Sequence, residues 1–156
     1  MQSTSSLAAK LGTDYPQFSF KIDKAFHWSP STATVFFEES NDLPSLLHEL
    51  SHALLGHSTY LKDIELLEME RDAWHHAKTI LSPKYNVTIN EGTSEEALDT
   101  YRDWLHARSI CPQCNASGIQ SRQNTYKCLA CDTIWKVNEA RICPLRRSVI
   151  NKKHTL

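Results

Sequence analysis

His48-Glu-Leu-Ser-His52 sets two imidazoles four residues apart, the interval at which side chains share one face of an α-helix. Both rings can then reach a single metal ion, and zinc is the ion expected at this spacing. Glu49 lies about 100° further round the same helix, where it is placed to hold an attacking water and take its proton. Residue types in that order point to hydrolysis of a peptide bond, with Glu49 as general base and His48 and His52 as metal ligands.

A second set lies further along the chain. Cys111-Pro-Gln-Cys114 and Cys128-Leu-Ala-Cys131 are two Cys-x-x-Cys pairs separated by thirteen residues, the pattern of a zinc ribbon. Each pair supplies a turn that grips one side of a tetrahedral ion. With Cys111, Cys114, Cys128 and Cys131 all bound, no position stays open, so this zinc is expected to be structural, and so short a segment needs it to fold. The chain has five cysteines; the fifth, Cys143, has no partner in the pattern and is expected to be a bystander.

The elements that must position these residues follow from local signals. Residues 18–37 are rich in aromatic and β-branched types and read as two short strands, the second over 33–37. The edge of that second strand is also a place for a substrate to add as a further strand. Asn41-Asp42 supplies an N-cap and Pro44 a first-turn residue for a helix running to about Leu55, with Gly56 as its C-cap. On that helix Leu43, Leu46, Leu47, Leu50 and Leu54 form an apolar stripe, and His48 and His52 project from the other side. A second helix is predicted over 61–81, stopping before Pro83. A third starts at Thr93, where Thr93-Ser-Glu-Glu96 has the form of a capping box. After Ile110 the texture changes to cysteine pairs and turn formers. The expected organisation is therefore α+β, with residues 1–108 as a helical metallopeptidase domain with a short β-sheet, 109–140 as a small β ribbon, and 141–156 as a basic C-terminal tail.

A catalytic zinc takes three protein ligands and leaves one position for water. The metzincin spacing would need Gly and His three and six residues after His52, but Leu55 and Ser58 stand there. The second helix offers a carboxylate instead. Leu66, Leu67, Met69, Ala73, Trp74, Ala77, Ile80 and Leu81 form its apolar arc, and Glu70 falls in the middle of it. A carboxylate there is costly unless it is paired or bound to metal; pairing with an arginine or reaching solvent are the other outcomes. His57, Tyr60, His75 and His76 are unranked candidates to stabilise an oxyanion.

Glu70-Arg-Asp-Ala73-Trp-His-His-Ala77-Lys-Thr-Ile80-Leu81-Ser-Pro83 resembles the second signature of the ImmA/IrrE metallopeptidases, in which a Glu is followed by Ala three and seven residues on, an apolar pair and Pro. With His48-Glu-Leu-Ser-His52-Ala-Leu-Leu, the likeness covers roughly residues 33 to 83. It implies a zincin-like fold, Glu70 as the third zinc ligand, and a regulatory DNA-binding protein as a substrate class. Trp74 departs from the pattern, standing where the family usually has Asn or Asp, His76 replaces a usual Phe, and a family His often four residues after the second ligand is here five away, as His57.

Composition sets the frame. A chain of 156 residues with 40% hydrophobic content has the make-up of a folded protein. The start lacks the basic and apolar run of a signal peptide, and no stretch reaches the ~20 apolar residues that span a bilayer, so the expected compartment is the cytoplasm and no membrane partner is expected. Cysteine pairs in a reducing compartment read as metal ligands. Up to Tyr101 acidic residues outnumber basic ones about two to one; from Arg102 on the balance reverses, with Arg108, Arg122, Lys127, Lys136, Arg141, Arg146 and Arg147 among the cations. That half is suited to nucleic acid or an acidic protein, and Tyr126 and Trp135 either stack on bases or form the ribbon's own core.

Two further functions compete. A SprT-like protease also combines such a helix with a C-terminal zinc ribbon and acts on DNA-bound proteins; its third ligand is a His, a role that His75 or His76 would have to fill. A non-catalytic binding module would use the first zinc only to hold the fold, and would have no need of Glu49.

Overall fold

Aromatic and β-branched residues of the 18–37 segment form three strands rather than two: β1 (Ser19–Ile22), β2 (His27–Ser29) and β3 (Thr34–Phe37). A single 3-10 turn at Pro30–Thr32, closed by Ala33 in the left-handed region, folds β2 back on β3. β3 is central, parallel to β1 and antiparallel to β2. Both its edges are therefore paired, and the strand addition expected there has no free edge to use. The computed structural model describes residues 1–139, 141 and 143–151. In it the chain divides into two units: Met1–Thr59 with Glu68–Ser94, and Tyr60–Leu67 with the chain from Glu95 onward. The expected tail over 141–156 lies partly outside the described residues, at 142 and 152–156.

In the first unit, α1 (Thr4–Asp14) is an element the sequence reading left unassigned. Ser3 caps it by accepting from the Ser6 amide, and Leu7, Ala8 and Leu11 bury one face. The Thr4 hydroxyl donates to the Glu38 carbonyl at 2.7 Å, tying the helix start to the chain just after β3. α2 (Leu43–Leu54) forms as its caps dictate, since Asp42 accepts from the Ser45 amide and Gly56 turns the chain at φ +69°. Leu46, Leu47 and Leu50 are fully buried and pack with Leu7, Leu11, Val35 and Phe37 in one core.

α3 (Asp63–His76) does not run unbroken to residue 81. A π-helical turn occupies Ala77–Leu81, and a last single turn, α4 (Ser82–Tyr85), carries Pro83 at its start. Proline lacks an amide hydrogen and is tolerated in a first turn, so it begins this turn instead of ending the helix. A π turn inserts one residue into the register, which rotates later positions. Ile80, assigned to the apolar arc, accordingly lies 55% exposed while Leu81 is fully buried. α5 (Glu91–Ser109) starts two residues before Thr93, and Ser94 bonds back to the Glu91 carbonyl in place of a capping box.

The second unit holds a four-stranded antiparallel sheet of β4 (Ile119–Arg122), β5 (Thr125–Lys127), β6 (Ile134–Val137) and β7 (Arg147–Val149), in that order. Tyr126 and Trp135 are buried on one face, stacked at 5.7 Å, with Cys111, Cys128 and Val137. They are this unit's core and not a stacking platform. A buried polar knot accompanies them: Arg108 donates to both Asp63 oxygens, Tyr126 Oη donates to Asp63 Oδ2 at 2.5 Å, and Trp104 covers the guanidinium. Arg108, counted by sequence among cations offered to a partner, is thus an internal ion pair. Among the described residues no helix is long and apolar enough to cross a membrane.

Candidate metal centres

One helical turn separates His48 from His52 on α2, and the result is two Nε2 atoms 3.1 Å apart. The apolar face of α3 brings Glu70 to the same point. Its Oε2 lies 2.9 Å from His48 Nε2 and its Oε1 3.2 Å from His52 Nε2. All three side chains are buried. Glu49, half-buried on α2, clusters with the two histidines, with ligand-capable atoms all within 4.8 Å of one another.

The donor set fits a small divalent cation. Metal–nitrogen and metal–oxygen bonds of 2.0–2.1 Å in a tetrahedron set neighbouring donors about 3.3 Å apart, close to the three separations found here. Two imidazole nitrogens and a carboxylate are also a donor set that zinc accepts. Burial alone would raise the Glu70 carboxyl, but hydrogen bonds from His48 and His52 reverse this and hold it well below the usual carboxylate range. Burial pulls His52 down, and Glu70 outweighs it to leave the ring above its ordinary value. Glu49 is raised, chiefly by burial, with His48 and His52 opposing. A carboxylate with raised proton affinity suits a general base.

The two histidines are steadied by different means. His48 stacks on Trp74, with centroids 4.2 Å apart and planes 22° from parallel; its Nδ1 is buried and has no hydrogen-bond partner among the described residues. His52 Nδ1 instead lies 2.8 Å from His57 Nδ1. Of the other oxyanion candidates, His76 Nδ1 bonds to the Ser51 hydroxyl on α2 at 3.1 Å, His75 is exposed, and Tyr60 belongs to the second unit. The part played by Trp74 was missed by sequence. Its signal was the apolar arc itself, which sets Trp74 four residues after Glu70 on the same side of α3.

The four cysteine sulfurs also converge, all within 4.8 Å of one another. Cys111 and Cys131 stand 3.7 Å apart and Cys114 and Cys128 3.5 Å, far beyond the 2.05 Å of a disulfide and near the ~3.8 Å edge set by zinc–sulfur bonds of 2.3 Å. The two halves repeat one backbone form. Each pair is followed by a residue in the left-handed region, Asn115 at φ 62° and Asp132 at φ 61°, whose amide bonds to the carbonyl of the first cysteine of its pair. Asn and Asp tolerate that conformation best after glycine, so this signal too was present in the sequence. The Thr133 hydroxyl, 3.1 Å from Cys131 Sγ, helps hold that thiol down at about 6, which favours the thiolate a metal needs. Cys143 is exposed, outside the cluster, and accepts from Asn138.

Cations of the second unit divide by environment. Arg102 pairs with Glu95 and Asp99, and Arg147 donates to the Ile110 carbonyl. Strand register puts Arg122 and Lys136 beside Thr125, and Lys127 between Ile119 and Ile134, so Arg122, Lys127 and Lys136 share the sheet face opposite Tyr126 and Trp135.

No protein-family model matches this sequence, and neither the curated proteins nor the solved structures compared with it give a match.

Proposed function

We propose that this chain is a zinc-dependent endopeptidase of the ImmA/IrrE kind, with a zincin-like catalytic unit and a structural zinc ribbon. The observation that carries this is the convergence of His48, His52 and Glu70 donor atoms within 3.2 Å, with Glu49 beside them on α2. His48, His52 and Glu70 would hold the catalytic ion; Cys111, Cys114, Cys128 and Cys131 would hold the structural one. An ion held by two imidazoles and a carboxylate would supply a water of pKa lowered to ~7 and would polarise a carbonyl. Glu49 takes the proton of the attacking water and returns it to the leaving amine. Its burial, which raises the carboxyl against the pull of His48 and His52, supports that role. A purely structural site would have no use for Glu49. Glu70, not His75 or His76, lies against the two histidines, which favours this reading over a SprT-like ligand set. A regulatory DNA-binding protein is the substrate class the resemblance implies.

Two measurements test the assignment together. Zinc per chain is expected to be two in the wild type, with one lost in His52→Ala and the other in Cys128→Ser. Glu49→Gln is expected to keep both zincs and to lose about 10²–10⁴-fold in cleavage of a peptide library read by mass spectrometry. Equal cleavage by Glu49→Gln and wild type would sink the peptidase, and two zincs with no cleavage by either would leave the binding module.

A further inference from the structure

His57 is held at three points. Gly56, at φ +69°, turns the chain back over the end of α2, and the His57 amide donates to the His52 carbonyl at 3.0 Å. Trp28 Nε1 on β2 donates to the His57 carbonyl at 2.9 Å. The His57 ring then meets the His52 ring, centroids 5.1 Å apart, with the two Nδ1 atoms 2.8 Å from each other. Such a contact between two imidazoles needs one proton, shared as N–H···N. On an uninterrupted helix residue 57 would project well away from residue 52; only the left-handed turn at Gly56 brings the rings together.

We infer that His57 is a positioning residue for the metal site: it accepts the Nδ1–H of His52 and thereby fixes His52, when an ion is bound, as the tautomer whose Nε2 lone pair is free for that ion. The inference rests on His48, His52 and Glu70 being a metal centre. A ligating histidine held through its other nitrogen is oriented and made a better donor, and loss of such a partner typically costs 10–100-fold in metal affinity or activity. His48 has no equivalent among the described residues, where its Nδ1 finds no partner. The His52–His57 pair therefore carries the orienting hydrogen bond for the two imidazoles.

The test compares wild type, His52→Ala, His57→Ala and His57→Asn as full-length, zinc-loaded chains, with zinc withdrawn by chelators of graded strength. Ribbon zinc serves as the internal control for metal loading, and the far-ultraviolet circular dichroism of each variant as the control for folding. His57→Ala is expected to weaken the histidine site about 10–100-fold while the ribbon zinc stays. His57→Asn, whose amide oxygen can stand where Nδ1 stood, is expected to restore most of the affinity. Nitrogen-15 spectra of the imidazoles supply a second readout, with a His52 Nδ1–H protected from exchange in wild type and His57→Asn and unprotected in His57→Ala. If His52→Ala releases a zinc but His57→Ala binds as tightly as wild type, the positioning role is wrong and the metal centre stands. If His52→Ala releases none, the metal centre fails and takes this inference with it.

Discussion

Glu70 is where the cost of a buried charge and the chemistry of a candidate metal site meet. A carboxylate on the apolar face of α3 must be compensated, and here two imidazoles do so at 2.9 and 3.2 Å. The substitution Glu70→Gln keeps the volume and removes the charge. It is expected to release zinc from the histidine site, or to weaken it by at least 10-fold, and to leave the ribbon zinc in place, as metal analysis after dialysis against a mild chelator would read. His75→Ala, at an exposed position, is expected to change neither; loss of zinc from His75→Ala with retention in Glu70→Gln would favour the SprT-like ligand set. Single residues were legible where their types are costly to misplace. Glu70 on an apolar arc, and histidines four apart, announce themselves because chance rarely puts them there. His57 was legible only as an unranked oxyanion candidate and a displaced family His, since its contact with His52 depends on the backbone reversal at Gly56 and not on helical spacing.

Elements were legible where their ends carry strong signals. α2 is bounded by Asp42, Pro44 and Gly56, each with a stereochemical reason to sit where it does. α1 had Ser3 and the Leu7, Ala8, Leu11 spacing, but a polar start obscured it. Pro83 misled, because proline is compatible with a first turn as well as with a stop, and the π turn before it shifts register in a way no fixed period can express. In the ribbon, Gly118 shows why an element can hinge on one missing carbon. A Cβ there would lie 2.4 Å from Trp135 Cη2 and 2.8 Å from the Lys127 carbonyl. The ring is fully buried and donates through Nε1 to the Arg108 carbonyl, so it has little freedom to yield. Overpacking of this kind costs about 1–3 kcal/mol. Gly118→Ala is expected to lower the thermal midpoint of the ribbon unit by several degrees, monitored through near-ultraviolet signals of Trp135 and Tyr126. Gly92→Ala, which meets nothing within 4 Å, is the control expected to leave it unchanged.

At the scale of the whole molecule, the α+β class was readable from alternating texture along the chain, whereas the charge asymmetry was readable only in total. Counting cations cannot distinguish Lys136, exposed on a strand, from Arg108, buried against Asp63. The distinction matters for stability. Removing one member of a buried ion pair leaves the other uncompensated and costs about 3–5 kcal/mol. Arg108→Met is accordingly expected to destabilise the second unit by that amount in urea titration. The double variant Arg108→Met with Asp63→Leu is expected to recover part of the loss, since no charge is then stranded. A single variant as stable as wild type would show the pair to be dispensable.

The division of the chain bears on how it comes off the ribosome. Tyr60–Leu67 belong with the chain from Glu95 onward, but Glu68–Ser94 lie between them and belong with the residues already made. Nascent chain therefore completes the first unit with a stretch that emerges after a piece of the second. That piece, with Asp63 in it, must wait for Arg108 and Tyr126 to be synthesised before its carboxylate is paired. Neither unit can be released intact by a single cut, and a chain that ends between Cys114 and Tyr126 leaves Asp63 without the Tyr126 hydroxyl and the first pair of thiols without Cys128 and Cys131.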